Sequence, residues 1–126
     1  MSPNPIDWFE IYVKDMDRAM KFYEGVFNVK LDKLAKPGPG IFDMRTFPMT
    51  RDGTGATGAL AKMEGGPSGG NSTIVYFVCD DCAVEAKRAS ANGGKVMKDK
   101  FSIGEYGFIA IDTDPEGNAI GLHSMK

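Results

Sequence analysis

Three side chains offer proton-transfer chemistry: the carboxyl of Glu10, the phenol of Tyr76 and the imidazole of His123, the one histidine in 126 residues. A carboxylate or imidazole beside a tyrosine hydroxyl suits acid–base work on a small carbonyl compound. Each also has a structural reading: a glutamate at a strand end, a tyrosine that fills a sheet, a histidine near a terminus. Cys79 and Cys82 form the single C-x-x-C. That spacing suits a redox pair where a strand runs into a helix N-terminus. The two aspartates between the thiols oppose thiolate formation, and a zinc site needs two more ligands than one histidine supplies. The expectation is two small apolar residues at a strand end and a helix start.

The elements that position these groups follow from hydrophobic periodicity. Ile6 to Val13 is β-rich, with Phe9, Ile11 and Val13 on one face and Trp8, Glu10 and Tyr12 on the other. From Met16 the period becomes helical: Met16, Ala19, Met20, Tyr23, Val26 and Phe27 share a face, and Asp15 stands at the N-cap. Val29 to Leu34, Ile41 to Met49 and Thr57 to Met63 read as strands, with turns at Lys36–Gly40 and Arg51–Gly53. Residues 64–71 have the composition of a linker. Thr73 to Cys79 is the next strand, with Ile74, Tyr76 and Val78 on one face. Asp81 to Asn92 follows as a helix that Gly93-Gly94 stops. Lys95 to Phe101, Tyr106 to Asp112 and Ala119 to Ser124 complete the series, the last after the tight turn Asp114-Pro-Glu-Gly-Asn118 and with Gly121 and His123 on one face.

The series is βαβββ twice, superposed at a shift of 66 residues that carries Val13 onto Cys79 and Asp15 onto Asp81. The expected class is α+β: two βαβββ modules forming a curved mixed sheet around a concave pocket, helices outside. One domain spans 1–126, with module one at 6–63, the linker at 64–71 and module two at 72–124. Net charge of −2 and pI near 5.3 oppose nucleic-acid binding, which needs a basic face. No apolar run approaches a membrane span and no leader pattern opens the sequence, so the expectation is a cytoplasmic protein. Arg45, Arg51 and Lys62 read as scattered solvated charges. Met16, Met20, Met44, Met49, Met63 and Met97 read as core filler.

The segments VKDMDRAMKFYEGVFN, ANGGKV and DTDPEGNAIGLHS resemble the vicinal oxygen chelate superfamily of glyoxalase I, bleomycin-resistance proteins and extradiol dioxygenases. The resemblance spans nearly the whole chain. Its metal-dependent members take one ligand from the first and one from the last strand of each module. Carried over, those positions fall on Trp8, Gly58 or Ala59, Ile74 and Gly121, and such side chains do not bind divalent ions. The resemblance therefore implies no standard metal site and no cofactor, and it speaks against glyoxalase I or dioxygenase chemistry.

If Trp8 faces the pocket, strand parity adds Glu10 and Tyr12 to it, and Ile74, Tyr76, Gly121 and His123 line the equivalent face of module two. Glu10, His123 and Tyr76 are the candidate catalytic groups; Trp8, Tyr12, Ile74 and Gly121 are the candidate ligand contacts. One expectation is a metal-independent small-molecule binder of bleomycin-resistance type, a branch whose groove is built with a second subunit, hence a homodimer. The alternative is a lyase or isomerase of a small oxygenated substrate with Glu10 and His123 as acid–base groups. A third is an accessory domain with a vestigial pocket.

Overall fold

A computed structural model describes residues 4–50, 52–53, 55–66, 68–70 and 72–126. The predicted linker residues Pro67 and Asn71, the predicted surface charge Arg51, and residues 1–3 of the lead lie outside the described residues. The order is β1 (Ile6–Tyr12), α1 (Met16–Phe27), β2 (Asp32–Lys33), β3 (Ile41–Thr46), β4 (Thr57–Met63), β5 (Thr73–Val78), α2 (Cys82–Ala91), β6 (Lys95–Ser102), a 3-10 turn at Gly104–Tyr106, β7 (Phe108–Thr113) and β8 (Ala119–Ser124). This is the expected α+β architecture of two βαβββ modules. The chain packs as two compact units, Trp8–Thr73 and Ile74–Lys126, and residues 4–7 belong with the second. No helix among the described residues is long and apolar enough to cross a membrane.

In the first unit the strands run β2-β3-β4-β1. β1 is parallel to β4, with Glu10 beside Ala59 and Tyr12 beside Ala61, while β3 is antiparallel to β4 and β2 to β3. Asp15 caps α1 by accepting from the Arg18 amide at 3.0 Å, and Asn28 ends it in the left-handed region at φ 53°, a conformation asparagine tolerates. The core beneath α1 is Met16, Leu31 and Leu60, ringed by Ile11, Val13, Ala19, Met20, Tyr23 and Phe47.

Three expectations for this unit fail for local reasons. The strand expected over Val29 to Leu34 shrinks to two residues because the Glu24 carboxylate accepts from the Leu31 amide at 2.8 Å, withdrawing that donor from any ladder. Val26 and Phe27, expected on the buried face, are 56% and 61% exposed, and neither belongs to the core beneath α1, which draws on the earlier turns at Met16, Ala19, Met20 and Tyr23. β3 stops at Thr46 rather than Met49, because Pro48 has no amide to continue the ladder. Met49, Met63 and Met97 are exposed, so of the expected methionine core only Met16 and Met44 are buried.

In the second unit the order is β5-β8-β7-β6, with β5 parallel to β8 and the other neighbours antiparallel. Asp81 caps α2 through the Ala83 amide and pairs with Lys100 at 2.9 Å. α2 sits close on the sheet through small residues, over a core of Cys79, Cys82, Ala86, Ala110 and Leu122. That closeness requires Gly94, where a Cβ would lie 2.4 Å from the Thr113 carbonyl oxygen. Tyr106, expected in a strand, instead closes the 3-10 turn, and the Ile103 amide bonds to the Gly107 carbonyl across it. The turn before β8 is tied by Asp114, whose carboxylate accepts from the Glu116 and Asn118 amides and from the Asn118 side chain.

Candidate functional site

Strand parity places the first group of candidates as the sequence predicts. Ile11 and Val13 pack under α1 and Phe9 meets Phe47 at 5.6 Å between ring centroids, so Trp8, Glu10 and Tyr12 occupy the opposite face. There the Glu10 carboxylate is clamped. Its Oε1 accepts the Tyr12 hydroxyl at 2.7 Å, and its Oε2 accepts the Trp8 indole N–H at 3.1 Å. Glu10 is 7% exposed. A carboxylate in so little water needs such donors, and charge-assisted bonds of this kind are the strong ones. Beside it on the same face lie Ala59 and Ala61 of β4, both fully buried, with Met44 and Thr46 of β3 across from them. Arg45, read from the sequence as a solvated charge, lies on the other face, beside Leu60. Both nitrogens it presents go to Asp43, at 2.7 and 3.3 Å, and this bond holds the guanidinium above its ordinary pKa.

The second group is built differently. Tyr76 stands beside Gly121 and Val78 beside His123 in the parallel β5–β8 pair. Tyr76 is buried, and its ring lies over Gly121 so closely that a Cβ there would sit 2.3 Å from a ring carbon. Gly121 is thus a floor for the Tyr76 ring. Ile74 is half-buried on the same strand face. His123 turns both nitrogens to acceptors: Nε2 is 2.7 Å from the Tyr106 carbonyl oxygen and Nδ1 is 3.5 Å from a carboxylate oxygen of Asp7. The Asp7 carboxylate raises the pKa of His123 above its ordinary value, against the opposing effect of burial. Trp8, Glu10 and Tyr12 therefore form one bonded array in the first unit, and Tyr76 with Gly121 a packed pair in the second.

Burial pushes the Cys79 thiol up to about 11, and both cysteines are buried and free. A thiol so shifted is protonated at neutral pH and a poor nucleophile. Two further groups carry little sequence signal. Asp7 reveals itself only through the fold that brings it to His123. Asp112 is fully buried in β7, its two oxygens without a hydrogen-bond partner, and it reads from the sequence as a strand's polar end.

The positions at which the resemblance implies metal ligands do not fit a metal. The register resolves the β4 position as Ala59, which shares the face of Glu10. Gly58 faces the other way, where a Cβ would lie 2.1 Å from the Phe9 carbonyl oxygen. An indole N–H, a methyl, a sec-butyl group and a hydrogen offer a divalent ion no lone pair. Among the described residues no three His, Cys, Asp or Glu side chains cluster as a metal site would require.

Paired βαβββ modules with a polar array on the first strand define a glyoxalase-type fold. The chain belongs to the Glyoxalase/Bleomycin resistance protein/Dioxygenase superfamily, whose family model matches residues 5–122. It is 33% identical over 119 residues to the "Putative glyoxylase CFP32" of Mycobacterium tuberculosis, a match covering 92% of this chain and 44% of that protein. The chain thus spans less than half the length of that relative. A "Glyoxylase-like domain-containing protein" of Didymella fabae is 31% identical over 101 residues, 80% of this chain and 77% of that one. Among solved structures, hypothetical protein BH1468 from Bacillus halodurans superposes with a TM-score of 0.71 at 14% identity, covering 99% of this chain and 96% of that one. Methylmalonyl-CoA epimerase from Mycobacterium tuberculosis superposes at 0.66 and 16%, covering 97% and 88%. At those identities the likeness is one of fold.

Proposed function

We propose that this glyoxalase-like chain binds a small molecule without a metal, in the manner of the bleomycin-resistance branch, through the face of β1 that carries Trp8, Glu10 and Tyr12. The observation that carries this reading is the Glu10 carboxylate, buried and held at one oxygen by Tyr12 and at the other by Trp8. Two fixed donors orient it before a ligand arrives, which spares the ordering cost at binding. Such an acceptor selects ligands that present an N–H, O–H or cationic group, and the Trp8 indole adds an aromatic wall. Binding is favoured over proton transfer because both nitrogens of His123 face acceptors, so neither is poised as a base. The acidic chain has no nucleic-acid partner and needs no cofactor, and it works as a cytoplasmic homodimer.

Trp8 is the only tryptophan, so intrinsic fluorescence reports on this face directly. Titration with a panel of aromatic amines and phenols gives a saturable change for at least one class. Glu10→Gln, which keeps the shape and removes the charge, weakens it by about tenfold or more. An unchanged affinity in Glu10→Gln, or a melting temperature that rises with stoichiometric Ni²⁺ or Zn²⁺, overturns the reading.

A further inference from the structure

We propose that one flank of α1 is the face through which two copies of this chain pair, as antiparallel helices with Phe22 of each seated over Gly25 of the other. The inference rests on the homodimer proposed above and gives it an interface. By helical period Arg18, Phe22, Gly25 and Val26 share this flank, while Met16, Ala19, Met20 and Tyr23 turn to the core. Phe22 is 59% and Val26 56% exposed. The Phe22 ring meets Tyr23 edge-on, at 5.0 Å between centroids, and most of it stays in water.

Gly25 is the other half of the fit. After proline, glycine is the least favourable residue inside a helix, and among the described residues nothing requires one here. A Cβ built on Gly25 meets no atom within 4 Å, and the position is exposed. An open gap on a helix flank, three residues from an exposed ring, is the hole for a knob of that shape on another copy. A two-fold axis lets one flank meet itself. In an antiparallel pair centred between Tyr23 and Glu24, Phe22 faces the second copy's Gly25 and Gly25 faces its Phe22. Both rings and both gaps are then used at once.

Charge agrees with the antiparallel sense. The last turn of α1 holds no basic residue of its own, so a cation from outside suits the partial negative charge of its carbonyl end. In this register Arg18 of one copy lies level with Val29, just past the end of the other helix. Lys21 lies level with Val26, where its stem covers the valine and its ammonium reaches toward the same carbonyl end. A parallel pair would instead set Arg18 beside Arg18. Phe27 is as exposed as Phe22, but it points another way round the helix and stacks on Tyr23 at 6.4 Å, so it takes no part. Two 12-residue helices bury less than the ~1,200 Å² of a stable complex, and the dimer dissociates at about 100 µM.

Sedimentation equilibrium of the whole chain, from low micromolar to millimolar concentration, reads the pairing. The unaltered chain shows a monomer–dimer equilibrium, Phe22→Ser weakens it about tenfold or more, and Phe27→Ser leaves it unchanged. Gly25→Ala gives two effects of opposite sign. It raises the melting temperature of the dilute monomer by about 3 °C through helix propensity, yet it weakens dimerisation about tenfold because the methyl fills the hole. Arg18→Gln weakens the dimer severalfold. A dimer that Phe22→Ser and Gly25→Ala leave intact, or that Phe27→Ser disrupts equally, overturns this interface and leaves the homodimer standing. A monomer at every concentration overturns both. Saturable Trp8 fluorescence, read where the chain is monomeric, tests small-molecule binding separately.

Discussion

The two modules repeat one fold and differ in what they put at equivalent corners. Register aligns Ala59 of β4 with Gly121 of β8, and their β1 and β5 neighbours are Glu10 and Tyr76. In the first unit an alanine methyl leaves the carboxylate of Glu10 to be held by its strand neighbours Trp8 and Tyr12. In the second the methyl is gone and an aromatic ring fills the space. One more step along the ladders aligns Phe47 with Asp112. Phe47 joins Phe9 and Tyr23 in an aromatic cluster at 5.6 and 5.8 Å; Asp112 occupies the matching core position as a carboxyl with no partner. A fold built by repetition thus need not repeat its chemistry. The first unit places a satisfied carboxylate on the sheet face away from α1 and aromatics beneath the helix, whereas the second does nearly the reverse.

The largest test of this contrast is Gly121→Ala. The added methyl would lie 2.3 Å from the buried Tyr76 ring, an overlap that only a shift of ring or strand relieves. The expected cost is about 1–3 kcal/mol, read by urea denaturation. Ala59→Gly, which makes the first unit resemble the second, costs about 1 kcal/mol through strand entropy and lost burial. Tyr76→Ala should remove most of the Gly121→Ala penalty in a double-mutant cycle. Additive effects there would break the comparison.

Asp112 supplies the next test. Desolvation raises its pKa, and Asp99 adds to the shift. Because the folded value exceeds the unfolded one, the group costs nothing below the unfolded carboxyl pKa of about 4. Stability is then lost as pH rises through the raised folded value. Asp112→Asn removes the charge at nearly constant shape. It should be neutral near pH 4 and stabilising by about 1–2 kcal/mol at pH 8. A stability difference that does not grow with pH would mean that Asp112 ionises as easily in the fold as out of it.

What the sequence discloses is local. Asp15 and Asp81 are legible as caps because a cap needs only its own helix, and Asp114-Pro-Glu-Gly-Asn118 is legible because its bonds close within five residues. Parity alone puts Trp8, Glu10 and Tyr12 on one face. It does not say that the outer two would bond the middle one, since that depends on rotamers. Side-chain partnerships are silent, even between near neighbours. Glu24 takes the Leu31 amide and shortens β2, Asp7 reaches His123, and Asp43 chooses Arg45 over Lys62, each through contacts that no period encodes. The exposure of Val26 and Phe27 is likewise invisible to a helical wheel, which knows the face of a helix but not how far along it the packing extends. Asp112 looks from the sequence like the polar end of a strand, and nothing in the pattern says that it is buried.

The smallest effect concerns His123, where the second unit does satisfy a polar group. A neutral imidazole has one N–H, yet both ring nitrogens face acceptors, the Tyr106 carbonyl and the Asp7 carboxylate. The doubly protonated ring is the form that bonds to both. Its pKa is raised chiefly by the hydrogen bond to Asp7, so the stabilisation is complete below the ordinary histidine value of about 6.5 and fades as pH rises through the elevated one. Asp7 is nearly half exposed, and solvent screening limits the pair to about 0.5 kcal/mol. Since the chain has one histidine, its imidazole resonances titrate without ambiguity. Asp7→Asn should bring the midpoint down toward the ordinary value and flatten the stability profile between pH 6 and 8, roughly the window of that transition. A midpoint that Asp7→Asn leaves in place would assign the shift to the Tyr106 carbonyl. The second unit would then hold its histidine by backbone alone, as unlike the side-chain clamp around Glu10 as the two corners already are.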